Sequence, residues 1–138
     1  MTDIRALTIR QPWAWAICSD RKKVENRTRA THYRGPLLIH AGQRIDYDAQ
    51  MPGGLAMPPM GMVLGAVIAI AELTDCHFES RSWRYGGSDA CCGAWSELDA
   101  WHWTLANVRK LAEPIPCRGQ QGLWRPPADV LELLDGVL

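Results

Sequence analysis

Lys22, Glu25 and Arg27 fall within the run Asp20-Arg21-Lys22-Lys23-Val24-Glu25-Asn26-Arg27, directly after a tryptophan-rich apolar stretch. Residues two apart on an extended strand point to the same side, so Glu25 and Arg27 are expected to share one face. A carboxylate beside a guanidinium can hold a polar ring or a phosphate while each neutralises the other. Lys22 adds a compact point charge suited to phosphate, and Glu25 can accept from an exocyclic amine such as that of cytosine. The same run also reads as a helix end followed by a charged edge strand.

The elements around this run must position it. Ala6 to Arg10 alternates in polarity and reads as a first strand, which Gln11-Pro12 ends because proline brings no amide donor. Trp13 to Ser19 reads as a short helix, on which Trp13 and Trp15 project to different sides. One of them is therefore expected at a rim or pocket mouth. Val24 to Arg29 follows as a second strand and Leu37 to Ala41 as a short buried one. Residues 44–50 suggest a helical turn. Met51 to Gly61 holds three Pro, three Gly and three Met and reads as a loop that could serve as a flap. Met62 to Leu73 is a long aliphatic strand with a bulge or close approach at Gly65, and residues 76–99 look irregular. Trp101 and Trp103 alternate as strand neighbours, Gly122-Leu123-Trp124 opens a last strand, and Ala128 to Leu134 closes as a helix with Val130, Leu131 and Leu134 on one side. This order predicts a mainly β fold with peripheral helices, a small α+β barrel of five or six strands, in a single domain over residues 1–138.

Composition narrows the function classes. The chain has 138 residues, 47% hydrophobic and 22% charged, which suits a folded domain with one core. No apolar run reaches the roughly 20 residues of a membrane helix, and the first residues lack a secretory stretch. Five cysteines make an odd count without a framework, so reduced thiols and a cytoplasmic setting are expected. The formal net charge is zero, yet residues 1–44 carry nine basic against three acidic side chains, and the remainder carries the opposite excess. A basic N-terminal third points to a localised anionic partner unless the halves neutralise each other in space.

Three stretches together resemble the ASCH domain family of the PUA-like superfamily: Leu7-Thr8-Ile9-Arg10-Gln11-Pro12-Trp13-Ala14, Lys22 to Arg27, and Tyr33-Arg34-Gly35-Pro36-Leu37-Leu38-Ile39-His40-Ala41. The family signature is Gly-x-Lys-x-x-Glu-x-Arg. Lys22, Glu25 and Arg27 match it, and Asp20 stands where glycine is usual. Gln120 to Trp124 is similar to the family's closing segment, and residues 76–99 carry no resemblance. The resemblance implies a PUA-like barrel with a cleft beside the first helix, lined by the signature residues, and a partner that is RNA, a nucleotide or a modified nucleoside. No cofactor is implied.

The candidate ligand-binding set is Lys22, Glu25, Arg27, Trp13, Gln11, Arg34, His40, Arg118 and Gln121. Trp13 or Trp15 could stack on a base, and the glycines of Arg118-Gly119-Gln120-Gln121-Gly122 permit close backbone approach. Arg29 and Arg125 could extend the cationic surface. A small hydrolase is the alternative. In the family's acetylcytidine amidohydrolase branch a threonine nucleophile follows the lysine by three residues. Here that position is Glu25, so Lys22 and Glu25 would be the catalytic pair, or Thr8 or Thr28 would have to come close. A ribonuclease would use Glu25 and His40, although His40 also reads as a core histidine. Cys76-His77 and Cys91-Cys92 are four metal-ligand types, but adjacent cysteines chelate one ion poorly, and no metal is assigned. Arg81 and Arg84 flank Trp83 as a further RNA-stacking candidate.

Overall fold

The computed structural model describes residues 3–56, 62–81 and 92–138. Among these residues six strands and two short α-helices follow one another: β1 (Arg5–Gln11), α1 (Trp13–Cys18), β2 (Val24–Arg27), β3 (Gly35–Ile45), β4 (Ala66–Glu79), β5 (Ala100–Pro116), β6 (Leu123–Trp124) and α2 (Ala128–Leu133). The strands form one mixed sheet in the order β2-β5-β4-β3-β1-β6. Only β1 and β3 run parallel; the other neighbours are antiparallel. The mainly β character and the six strands agree with the sequence reading. The sheet, however, keeps β2 and β6 as separate edges and does not close into a barrel.

Period-two alternation sorts the core onto two faces. Leu7, Ile9, Leu37, Ile39 and Ala41 pack with Ile17 of α1 on one side. Ala6, Leu38, Val67 and Ile70 pack with Trp124, Val130 and Leu134 on the other. Burying each large aliphatic side chain contributes about 1.5–3 kcal/mol. Helix α1 therefore covers one face, with Ala14, Ala16 and Ile17 inward, and α2 covers the opposite one. Register shifts near Val67, Ile70 and Leu73 bend the long β4–β5 pair.

Several element limits differ from the sequence reading. Residues 44–50 are not helical: β3 extends through Ile45 and a turn follows at 47–48. The strand predicted from Met62 instead starts at Ala66 and runs on to Glu79, into the stretch read as irregular. Cross-strand pairing with β5 from Glu79↔Ala100 inward supplies the ladder that local composition did not announce. Residues 52–54 form a single 3-10 turn. Residues 57–61 of the suggested flap, and the Trp83 and Arg84 pair, lie outside the described residues. No helix among the described residues is long and apolar enough to cross a membrane.

Candidate functional site

Glu25 is the hinge of the site. It sits on β2 opposite Trp103, and Arg27 sits opposite Trp101, so both project to the same side as the strand period requires. Lys22 arrives from the turn before the strand. That turn is closed by hydrogen bonds donated by the Arg21 and Lys22 backbone amides to the Ala16 carbonyl of α1. Asp20 adopts a left-handed conformation with φ 61°. This explains why glycine is usual there, and aspartate is among the side chains that tolerate the region.

The Lys22 ammonium is 3% exposed and donates to Glu25 Oε1 at 2.9 Å and to the Val24 carbonyl. Arg27 Nε donates to Glu25 Oε2 at 3.0 Å, and Arg27 Nη2 donates to the Thr8 carbonyl at 3.0 Å. Burial opposes ionisation of Glu25, but the adjoining charges and hydrogen bonds of Lys22 and Arg27 outweigh it and hold the carboxyl below its ordinary value. The triad carries one net positive charge.

Two hollows meet at this triad. The smaller, about 200 Å³, is bounded by Trp13, Lys22, Glu25, Asn26, Trp95 and Ser96. Its aromatic walls are built crosswise: the Trp13 and Trp95 rings meet edge to face at 6.4 Å, and Trp13 Nε1 donates to Asp46 at 3.1 Å. Lys22 Nζ lies 6.0 Å from the Trp13 ring centre. Asn26 ties the outer wall down by donating to the Trp95 carbonyl at 3.0 Å and accepting from the Glu97 amide at 2.9 Å.

The larger hollow is a cleft of about 990 Å³ whose lining includes Arg10, Arg27, Arg29, Arg44 and Arg118. Among the described residues that line it, none is acidic. Its floor holds a polar relay. Thr8 and His40 are direct partners in the parallel β1–β3 pair. His40 Nε2 donates to the Cys117 carbonyl at 2.8 Å, which leaves Nδ1 to accept from Thr8 Oγ1 at 3.2 Å. Thr8 Oγ1 in turn accepts from Trp124 Nε1 at 3.1 Å. Burial pushes the His40 pKa down, and the bond to Cys117 opposes this only in part. Gly119 closes over the relay: a Cβ there would stand 2.6 Å from Thr8 Oγ1 and 2.7 Å from His40 Cε1.

A family model for the ASCH domain matches residues 7–115. The chain belongs to the ASCH domain family. Two solved ASCH structures from Zymomonas mobilis share the fold, the protein itself and a point mutant of it. The mutant matches at a TM-score of 0.63 and 18% identity over 98% of this chain and 99% of its own. The unmutated protein matches at a TM-score of 0.63 and 17% identity over 97% and 95%. No curated protein matches the sequence. The ASCH family is generally linked to RNA binding.

Of the ASCH residues singled out from sequence, Lys22, Glu25 and Trp13 meet at the small pocket, and Arg27, His40, Arg118 and Gln121 line the cleft. Trp15 turns elsewhere and stacks under Arg21 at 5.6 Å. Gln11 is buried and its amide serves the scaffold: Nε2 donates to the Val63 carbonyl and Oε1 accepts from the Trp15 amide, capping α1. Arg34 stands apart, donating to the Thr31 and Tyr33 carbonyls and facing Asp75 at 3.8 Å. Arg125 is not part of the cleft lining. Sequence reasoning missed Trp95, Ser96 and Asn26, and it did not single out Arg10 and Arg44. The last two were visible only as part of the basic N-terminal third. Trp95 had no signal, since only the tertiary fold lays its segment over α1.

Proposed function

We propose that this ASCH protein binds RNA or a nucleotide, with the arginine-lined cleft taking phosphates and the Trp13–Lys22–Glu25 pocket taking a base or nucleoside. The observation that carries the reading is the wall of five arginines without a carboxylate among the described lining residues. Such a surface favours a backbone of repeated negative charge, and arginine forks pair with phosphate oxygens two at a time. The neighbouring pocket adds what a base needs: two indole walls, a carboxylate acceptor and an amide. Glu25 is kept ionised, so it accepts hydrogen bonds and does not donate them.

The test is binding of labelled single-stranded RNA across a salt series. If all five arginines engage, log K falls with log salt at a slope of about −3.5. Arg10→Ala, Arg44→Ala and Arg118→Ala should each flatten it by about 0.7. Unchanged affinity and slope in the triple variant would overturn the assignment.

One observation favours a hydrolase acting on a modified nucleoside or on RNA. Thr8 Oγ1 is hydrogen-bonded to His40 Nδ1 in the wall of the same cleft, and a hydroxyl paired with a neutral imidazole is the pairing that activates a nucleophile. Incubation with N4-acetylcytidine, and separately with RNA, decides it. Turnover that disappears in His40→Gln or Glu25→Gln supports the enzyme, and absence of turnover above those variants removes it.

A further inference from the structure

We propose that His77, Cys92 and His102 bind a zinc ion that clamps the outer wall of the small pocket to the sheet. The three ligand atoms lie within 4.8 Å of one another. His77 Nε2 and Cys92 Sγ are 3.1 Å apart. In a tetrahedral site with Zn–S about 2.3 Å and Zn–N about 2.0 Å, ligand atoms stand roughly 3.3–3.6 Å from each other. That pair stands a few tenths of an ångström inside this spacing, and bringing the third atom in from within 4.8 Å takes a shift of no more than about 1.5 Å.

The surrounding groups fix both imidazoles in the right tautomer. His77 Nδ1 is held by the Asp75 carboxylate at 2.8 Å, which puts the proton on Nδ1 and the lone pair on Nε2, toward Cys92. His102 Nε2 donates to the Glu97 carbonyl at 2.6 Å, so its lone pair is on Nδ1. Metal-bound histidines are oriented in this way, by a carboxylate or carbonyl on the second ring nitrogen. His77 and His102 are direct partners across the β4–β5 ladder, and their rings meet at 5.3 Å. One thiolate and two imidazoles suit zinc and do not suit magnesium or calcium. The two adjacent cysteines of the sequence did not suggest this set, because its third member comes from β5, ten residues beyond Cys92.

The clamp has a structural consequence. Cys92 lies three residues before Trp95, in the segment whose Trp95 and Ser96 wall the small pocket. Asn26 and His102 already hold that segment at Trp95 and Glu97. A metal at Cys92 would add a further hold on it and set the distance from Trp95 to Trp13. This site is independent of the nucleic-acid reading: metal stoichiometry can be right or wrong whatever the cleft binds.

The test is metal analysis of the purified chain under reducing conditions, followed by replacement with Co²⁺. The expected result is about one zinc per chain, and with Co²⁺ the visible bands of a tetrahedral site with a near-ultraviolet thiolate-to-cobalt charge-transfer band. Cys92→Ser and His77→Ala should abolish the charge-transfer and tetrahedral bands respectively, while Cys18→Ser and Cys117→Ser leave both. Asp75→Asn should weaken Co²⁺ binding about 10–100-fold while preserving the charge-transfer band. That pattern separates a positioning carboxylate from a merely structural one. Failure to take up metal in reducing buffer, or a charge-transfer band that survives Cys92→Ser, would overturn the proposal and leave a hydrogen-bonded Cys–His pair only.

Discussion

The two hollows beside the Lys22–Glu25–Arg27 triad, the small one lined by Glu25 and the cleft by Arg27, are built on opposite electrostatic plans. In the small pocket the lysine is buried and spent on the carboxylate, so its charge organises the wall. In the cleft, Arg10, Arg29, Arg44 and Arg118 are exposed and stand on strand ends and loops, so their charge faces outward. The difference teaches that a cation's reach depends on what it is paired with. A buried, paired lysine lends rigidity, whereas an exposed arginine without an acidic neighbour in the lining lends attraction. Arg27 belongs to both plans. It is partly exposed, it lines the cleft, and it is tied to Glu25 and to the Thr8 carbonyl.

The largest expected effect breaks the small pocket. Glu25→Gln leaves the buried Lys22 ammonium without its counter-charge, and should cost about 3–5 kcal/mol in urea unfolding at neutral pH. A loss below about 1 kcal/mol would mean that Lys22 reaches water on its own and that the buried-pair account is wrong. Gly119→Ala strikes the cleft instead. Its methyl meets Thr8 and His40 at the distances given above, so overpacking of about 1–3 kcal/mol is expected, readable as a lowered melting temperature.

Acid should separate the two regions in order. The His40 pKa is depressed on folding, so its contribution is complete above the unfolded value of about 6.5 and fades as pH falls through the folded value. Glu25 is depressed too, and its share is complete above about pH 4.3 and fades at lower pH. A pH series of unfolding midpoints should therefore show the cleft-floor loss first, removed in His40→Gln, and the triad loss only in stronger acid. A single step below pH 5 would contradict the burial of a neutral His40.

The smallest effect on stability comes from the cleft rim. Arg10→Ala and Arg44→Ala should change unfolding free energy by no more than about 0.5 kcal/mol. Their effect should appear instead in the salt dependence of RNA binding. Destabilisation well beyond that would show that these arginines, like Lys22, serve the scaffold.

The triad was legible in the sequence because two of its members obey a local rule. Glu25 and Arg27 are two residues apart on a strand, and strand period alone puts them together. The alternation of β1 was legible for the same reason, and the Val130 and Leu134 stripe of α2 from helical period. What failed were segments whose state depends on a distant partner. Residues 76–79 look irregular in isolation, and they become strand because β5 offers a ladder from Ala100 onward. Gln11 looked available for a ligand, yet its amide is consumed by Val63, 52 residues away, and by the first turn of α1.

By itself, then, the sequence determined a mainly β domain of the ASCH family, the sidedness of its strands, and a charged trio after the first helix. Those features arise from contacts a few residues long. Tertiary structure alone decided that the trio would separate two hollows, that Trp95 would face Trp13, and that His102 would meet His77 and Cys92. Each of those juxtapositions joins elements far apart in the chain, and their spacing is set by sheet order and register, which no local pattern encodes.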